Sequence, residues 1–171
     1  MKYIYKSCFQ ILPLILLIFA CAPNKTTITT FILMRHAEKM TETSADPDLS
    51  SKGLKRANHL SKFLEAVPID AIYSTPFRRT MDTVKPLSNS KLIDIYTYSA
   101  DQLDAFSEDI VKKYSGKTVV IVGHSNTTPR LVNAITGSEF TDLEEDEYDW
   151  IYIVDLLPSG SSKIKKLKIE I

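Results

Sequence analysis

Two of the three histidines in this 171-residue chain stand beside basic or small polar residues, as Arg35-His36 and as His124-Ser125-Asn126, and Ser74-Thr75-Pro76 is followed closely by Arg78 and Arg79. Two imidazoles with two or more guanidiniums suit a tetrahedral dianion, because arginine carries a fixed charge and several donors that match phosphate oxygens. An unprotonated imidazole also keeps a ring lone pair and can act as a nucleophile near neutral pH. Phosphoryl transfer asks a protein mainly for positioning and charge neutralisation of this kind. No acidic metal cage and no glycine-rich phosphate loop is visible in the sequence, and no cofactor is expected. Taken singly, each residue has an ordinary explanation: a surface arginine, a core imidazole bonded to backbone, a residue that ends a strand. Together they make a phosphoryl site only if the fold gathers them.

The surrounding pattern says that it does. Thr29 to Met34 is β-branched and apolar and reads as a buried first strand that delivers Arg35-His36. Met40 to Ser51 reads as a polar loop, with Ser50 or Ser51 capping a helix. That helix places Leu54, Ala57, Leu60, Phe63, Leu64 and Val67 on an apolar face and stops at Pro68, while Lys52, Lys55, Arg56, His59 and Lys62 form a solvated face. Ile69 to Ser74 is a second strand. A helix from near Phe77 to about Pro86 and a third strand from Leu92 to Tyr96 follow. Leu103, Phe106, Ile110 and Tyr114 mark a further helix ended by Ser115-Gly116.

Thr118 to Val122 is a continuous β-branched run, typical of a central strand covered on both faces, and it ends in Gly123-His124. Thr128-Pro129 suits a helix start, and that helix runs to Gly137. Six carboxylates among the eight residues from Asp142 to Asp149 read as a solvated loop. Trp150 to Leu157 and Leu167 to Ile171, about the turn Pro158-Ser159-Gly160, suggest a terminal hairpin. The whole is an α/β three-layer sandwich, its sheet mostly parallel with an antiparallel edge. In such sheets ligands bind at the carboxyl ends of the strands, where Arg35, His36, Arg78, Arg79 and His124 collect.

Four blocks then carry a specific resemblance. Phe31-Ile32-Leu33-Met34-Arg35-His36-Ala37-Glu38-Lys39 resembles the signature of the histidine phosphatase superfamily, branch 1, also called phosphoglycerate mutase-like, with Ala37 where glycine is usual. Asp48 to Ala57, Ser74 to Thr83 and Val122 to Thr127 resemble three further family blocks in the family's order. The resemblance spans Thr29 to Gly137 and implies the phosphoglycerate mutase-like fold. It also implies that His36 attacks phosphorus to give a phosphohistidine, which water then hydrolyses. It makes Arg35, Arg79 and His124 the phosphoryl-holding residues, puts Arg78 at the periphery, and leaves Ser125 and Asn126 as candidate phosphate contacts at a helix start. The family's usual glutamate after the third strand, which protonates the leaving oxygen, has no clear match between Asp94 and Asp101. Glu38 and Asp101 are the candidate general acids.

The remaining features concern where the chain acts. Its 21 basic residues balance 21 acidic ones, which argues against a dedicated nucleic-acid binder, and the hydrophobic share of 44% excludes a disordered chain. Lys2 and Lys6 precede the apolar run Ile11 to Ala20, too short to span a bilayer and laid out like a secretory leader. Ile18-Phe19-Ala20-Cys21 resembles a bacterial lipoprotein signal, with Phe19 bulkier than usual. The expected organisation is a leader at 1–20, a lipidated Cys21 with a polar tether at 21–28, and a catalytic domain at 29–171. By the enteric-bacterial rule Ala22 favours the outer membrane. The sequence thus points to a phosphomonoesterase acting on a small phosphorylated substrate at the periplasm or cell surface. The alternatives are a phospho-ligand-binding lipoprotein without turnover and a protein phosphohistidine phosphatase.

Overall fold

The computed structural model describes residues 27–41 and 44–171; the leader, Cys21 and most of the tether lie outside the described residues. Ten elements follow in the order β1 (Thr29–Arg35), α1 (Ser51–Phe63), β2 (Ala71–Ser74), α2 (Arg78–Lys91), β3 (Ile95–Thr97), α3 (Leu103–Lys113), β4 (Thr118–Gly123), α4 (Thr127–Thr136), β5 (Trp150–Leu156) and β6 (Ser162–Lys168). The strands form one sheet in the order β3-β2-β4-β1-β5-β6. β1, β2, β3 and β4 are parallel, and β5 and β6 extend the β1 side in antiparallel pairing. The fold is therefore the mostly parallel sandwich with an antiparallel edge that the pattern implied.

Alternation along the strands divides the core between two faces, as the period of two requires. Phe31, Leu33, Val119, Ile121, Tyr73 and Tyr152 pack with Ile110 of α3 and Leu131 of α4. Ile32, Met34, Ile72, Val120, Val122 and Ile151 pack on the other face with Leu60 and Leu64 at the end of α1 and with Val84 and Leu87 of α2. Burial on both sides explains why β1 and β4 read as continuous apolar runs.

Several boundaries differ from the sequence reading, each for a physical reason. α1 ends at Phe63 rather than Val67, its chain closing through Glu65 N–H to Lys62 O and Val67 N–H to Leu64 O. Leu54 and Phe63 are about half exposed, whereas Arg56, assigned to the solvated face, is buried at 5% exposure. α2 continues through Pro86 to Lys91, because buried Leu87 holds the last turn on the core and Leu92, in the left-handed region at φ 56°, closes it. That cap uses Leu92, so β3 starts only at Ile95. α4 begins at Thr127 with Asn126 as its cap, and Pro129 sits in the first turn, where a missing N–H costs no helical hydrogen bond. Gly160, at φ 85°, closes the hairpin tightly, so β6 pairs from Ser162 rather than Leu167. Its lysines, at an exposed edge, dilute the apolar signal there.

Candidate active site

β1 and β4 lie side by side with Arg35 opposite Gly123, and the His36 N–H donates to the Gly123 carbonyl at 2.9 Å. One residue beyond those strand ends, the rings of His36 and His124 stand edge to face with centroids 5.5 Å apart. The end of β2 joins them through the Thr75 N–H, which donates to Val122 O. Arg79, in the first turn of α2, brings Nη2 to 3.4 Å from His124 Nδ1. Arg35, His36, Arg79 and His124 are thus gathered at the carboxyl edge of the parallel strands.

His36 is buried, and its Nδ1 lies 2.7 Å from the Ala37 carbonyl. A carbonyl only accepts, so Nδ1 carries the hydrogen and Nε2 keeps its lone pair. The Ala37 peptide is pinned in turn: its N–H donates to Thr83 Oγ1, whose hydroxyl donates to Arg79 O. Burial, together with the charges of Arg35, His124 and Arg79, outweighs the Ala37 hydrogen bond and lowers the His36 pKa to about 3. The ring is therefore unprotonated at neutral pH and nucleophilic at Nε2. Burial, then Arg79 and Arg35, likewise lower His124 to about 4, against the opposing charge of Asp46.

Arg35 is held by a segment that the sequence reading assigned to solvent. Its Nη1 donates to the carbonyls of Glu144, Glu145 and Glu147 at 2.8, 3.0 and 3.3 Å, and its guanidinium lies 4.0 Å from the centre of the Tyr148 ring. Tyr148 also lies 5.9 Å from His36, centroid to centroid. The acidic run from Asp142 to Asp149 is therefore a wall of the site rather than only a solvated loop, with its backbone carbonyls solvating a buried cation. The signal available in the sequence was Tyr148, an aromatic among six carboxylates. The Glu145 carboxylate reaches Arg35 Nη2 at 3.4 Å and Lys39 at 3.3 Å. Among the described residues Arg35 Nε is buried without a partner, a donor that a bound anion would satisfy.

Arg79 stacks on Phe77 and donates to Asp46 Oδ1 at 3.3 Å, so a second carboxylate stands at the second arginine. Arg78 instead reaches Asp48 at 2.7 Å and is largely exposed, outside the cluster. Asn126 is exposed and its side chain caps the Thr127 N–H; Ser125 accepts the Leu143 N–H on its carbonyl, fastening the acidic loop to the start of α4. Neither side chain hydrogen-bonds to the imidazoles or the arginines. His59 lies exposed on α1.

Neither candidate acid hydrogen-bonds to His36 or His124. The Glu38 carboxylate takes Arg56 Nη2 on Oε1 at 2.8 Å and Nε on Oε2 at 2.9 Å, with Lys52 at 3.3 Å. Burial raises its pKa, but the hydrogen bonds from Arg56, its own backbone N–H and Lys52 outweigh burial and hold it below the usual carboxylate range. A carboxylate so engaged is a poor proton donor; it explains instead why Arg56 is buried. The Glu38 backbone needs Gly53, since a Cβ there would stand 2.1 Å from Glu38 O. Asp101 is exposed and lines a hollow with Phe77, whose ring packs edge-on against His124 at 5.1 Å. Asp94 precedes β3 and so lies at the opposite pole of the sheet. Among the described residues no cluster of three or more His, Cys, Asp or Glu side chains could hold a metal ion.

Residues 31–100 match the family model of the histidine phosphatase superfamily, branch 1. The matched stretch runs from β1 to the loop after β3 and includes Arg35, His36 and Arg79. Over 70 residues the chain is 36% identical to phosphoserine phosphatase 1 of Hydrogenobacter thermophilus, covering 37% of this chain and 33% of that protein. Over 125 residues it is 26% identical to the 2,3-bisphosphoglycerate-dependent phosphoglycerate mutase of Thermoplasma acidophilum, covering 69% and 58%. The chain thus spans a third to somewhat under two thirds of the length of these relatives. The fold is shared with the protein histidine phosphatase SixA, solved with tungstate, at a TM-score of 0.67 and 16% identity over 81% of this chain and 96% of that one.

Proposed function

We propose that the protein is a phosphomonoesterase that works through a phosphohistidine on His36. The observation that carries this reading is the meeting of an unprotonated, Nε2-presenting His36 with His124, Arg79 and the unpartnered Nε of Arg35 at one strand edge. In the first step His36 Nε2 bonds to phosphorus as the ester P–O bond breaks and the leaving oxygen takes a proton from solvent water, a proton returned to solvent when the second water attacks. In the second, water bonds to phosphorus, the P–N bond breaks, and inorganic phosphate leaves. Arg35, Arg79 and His124 neutralise the charge on the equatorial oxygens in both steps. A hollow of about 320 Å³ lined by Lys39, Thr41, Ser44, Arg79 and Glu145 offers room for a small organic group beside the phosphoryl position.

The leader-like segment and Cys21 support action outside the cytoplasm on a lipid anchor. In that arrangement the tether would join the sheet at Thr29, the far end of β1 from His36, so the site would face away from the anchoring surface. A second reading, phosphoramidate hydrolysis as on protein phosphohistidine, is favoured by one observation: among the described residues no carboxylate hydrogen-bonds to either imidazole of the site, and an imidazole leaving group, far less basic than an alkoxide, demands less from an acid. The purified protein, assayed for phosphate release from an aryl phosphate, an alkyl phosphate and a phosphohistidine peptide, separates the readings. Release from any of them that is abolished in His36→Ala supports the enzyme. Tight phosphate binding with no release from all three would make it a phospho-ligand binder.

A further inference from the structure

Thr75 and Thr80 are completely buried, yet each keeps a hydroxyl where valine has the same shape. Their hydrogen bonds leave one consistent assignment of protons. Thr80 Oγ1 lies 2.8 Å from both the Thr75 and Phe77 carbonyls, so its single hydrogen is spent on them. Its oxygen is then free to accept from Thr75 Oγ1 at 3.0 Å. With its own hydrogen so used, Thr75 Oγ1 accepts from the atom that remains, His124 Nε2, at 2.9 Å. Any other assignment sets two lone pairs against each other at hydroxyls that have no exposed surface.

His124 Nε2 therefore carries the hydrogen, and in the neutral ring Nδ1 is left with a lone pair toward Arg79 Nη2. This is the reverse of His36, whose hydrogen is on Nδ1. We propose that Thr75 is a positioning residue: its hydroxyl, oriented by Thr80, fixes the tautomer and rotation of His124. Nδ1 thereby becomes the atom that titrates and meets the phosphoryl oxygens. The charged and titratable groups that face this ring are Arg79 from α2, Arg35 and His36 from the end of β1, and Asp46 and Lys39 from the loop after β1. With a dianion among these cations Nδ1 gains a hydrogen and donates it to a phosphoryl oxygen, while Nε2–H stays on Thr75.

The kinetic part of this inference rests on the phosphatase reading; the tautomer does not, so the test reads both. Long-range proton–nitrogen NMR of the nitrogen-15-labelled protein, its three histidines assigned with His59→Gln and His124→Asn, should show His124 protonated at Nε2. Inorganic phosphate should move its Nδ1 signal. Thr75→Val should mix the tautomers, lower kcat for p-nitrophenyl phosphate by roughly 10- to 100-fold with little change in KM, and shift the acid limb of the pH profile. Thr75→Ser should restore the wild-type tautomer and bring kcat within about threefold. A wild-type ring protonated at Nδ1 overturns the proposal without recourse to any variant. So does a Thr75→Val protein that keeps tautomer and pH profile while losing only stability. An Nε2–H tautomer with phosphate binding but no turnover supports the positioning role and overturns the phosphatase reading instead.

Discussion

Replacing Glu38 by alanine separates a structural role from a catalytic one at a residue two positions from the nucleophile. The variant would leave the Arg56 guanidinium with Nε and Nη2 unpaired; its Nη1 would still donate to Ile169 O at 2.9 Å. Arg56 is 5% exposed on the buried side of α1, so it can regain little water. Breaking a buried ion pair from one side costs about 3–5 kcal/mol. Against the 5–15 kcal/mol typical of a domain, such a loss would lower Tm by roughly 10–20 °C. Replacing both partners, as in Glu38→Leu with Arg56→Leu, should recover most of the stability, because no charge is left buried alone. Urea unfolding of the two single variants and the double one measures the coupling. The same proteins should hydrolyse aryl and alkyl phosphates in the wild-type ratio. A stability loss under about 1 kcal/mol, joined to a selective loss of alkyl phosphate turnover of about 100-fold or more, would refute the reasoning and restore Glu38 as the proton donor.

Acidification should destabilise the fold well before most carboxylates protonate. Both histidines have folded pKa values, about 3 and about 4, below the 6.5 of the free side chain, so the unfolded chain binds more protons between those limits. Stability is then full above pH 6.5 and declines as pH falls toward 4 and 3, by up to about 1.4 kcal/mol per pH unit for the buried His36 ring. His36→Asn should flatten that slope in a pH series of unfolding curves, and an unchanged slope would contradict it. The lowered pKa of Glu38 acts with the same sign in a lower window, below about pH 4.5. Glu145→Gln should tighten inhibition by inorganic phosphate, since the Glu145 carboxylate competes at Arg35 and Lys39. Glu145 is mostly exposed, so the gain is about 0.2–1 kcal/mol, or roughly 1.5- to 5-fold. It should shrink at high salt, and weaker inhibition would count against the competition.

The residues nearest the chemistry were the easiest to read from the sequence. Strand ends in a parallel sheet form one edge, and Arg35-His36 and His124 sit directly after apolar runs whose periodicity is unambiguous. Arg79 followed from the register of its block. The parts that were not legible depend on contacts across long separations. Arg56 looks like any other base on a charged helix face, and only its pairing with Glu38, eighteen positions earlier, makes burial tolerable. The acidic loop reads as solvated because its function at Arg35 is carried by backbone carbonyls, which leave no trace in side-chain type. Pro86 misled for a related reason: propensity predicts a helix end there, and the burial of Leu87 overrides it. The Thr75–Thr80 pair carried no signal in a chain rich in threonine.

The proposed function requires a covalent bond between His36 Nε2 and phosphorus. Mixing the protein with a radiolabelled phosphomonoester, quenching in alkali within milliseconds and mapping the label by mass spectrometry tests it directly. The account predicts a phosphoryl group on His36 alone, at Nε2, formed and lost at rates that match turnover and absent from His36→Ala. Label on another residue, or phosphate release that persists in His36→Ala with no labelled protein, would contradict it.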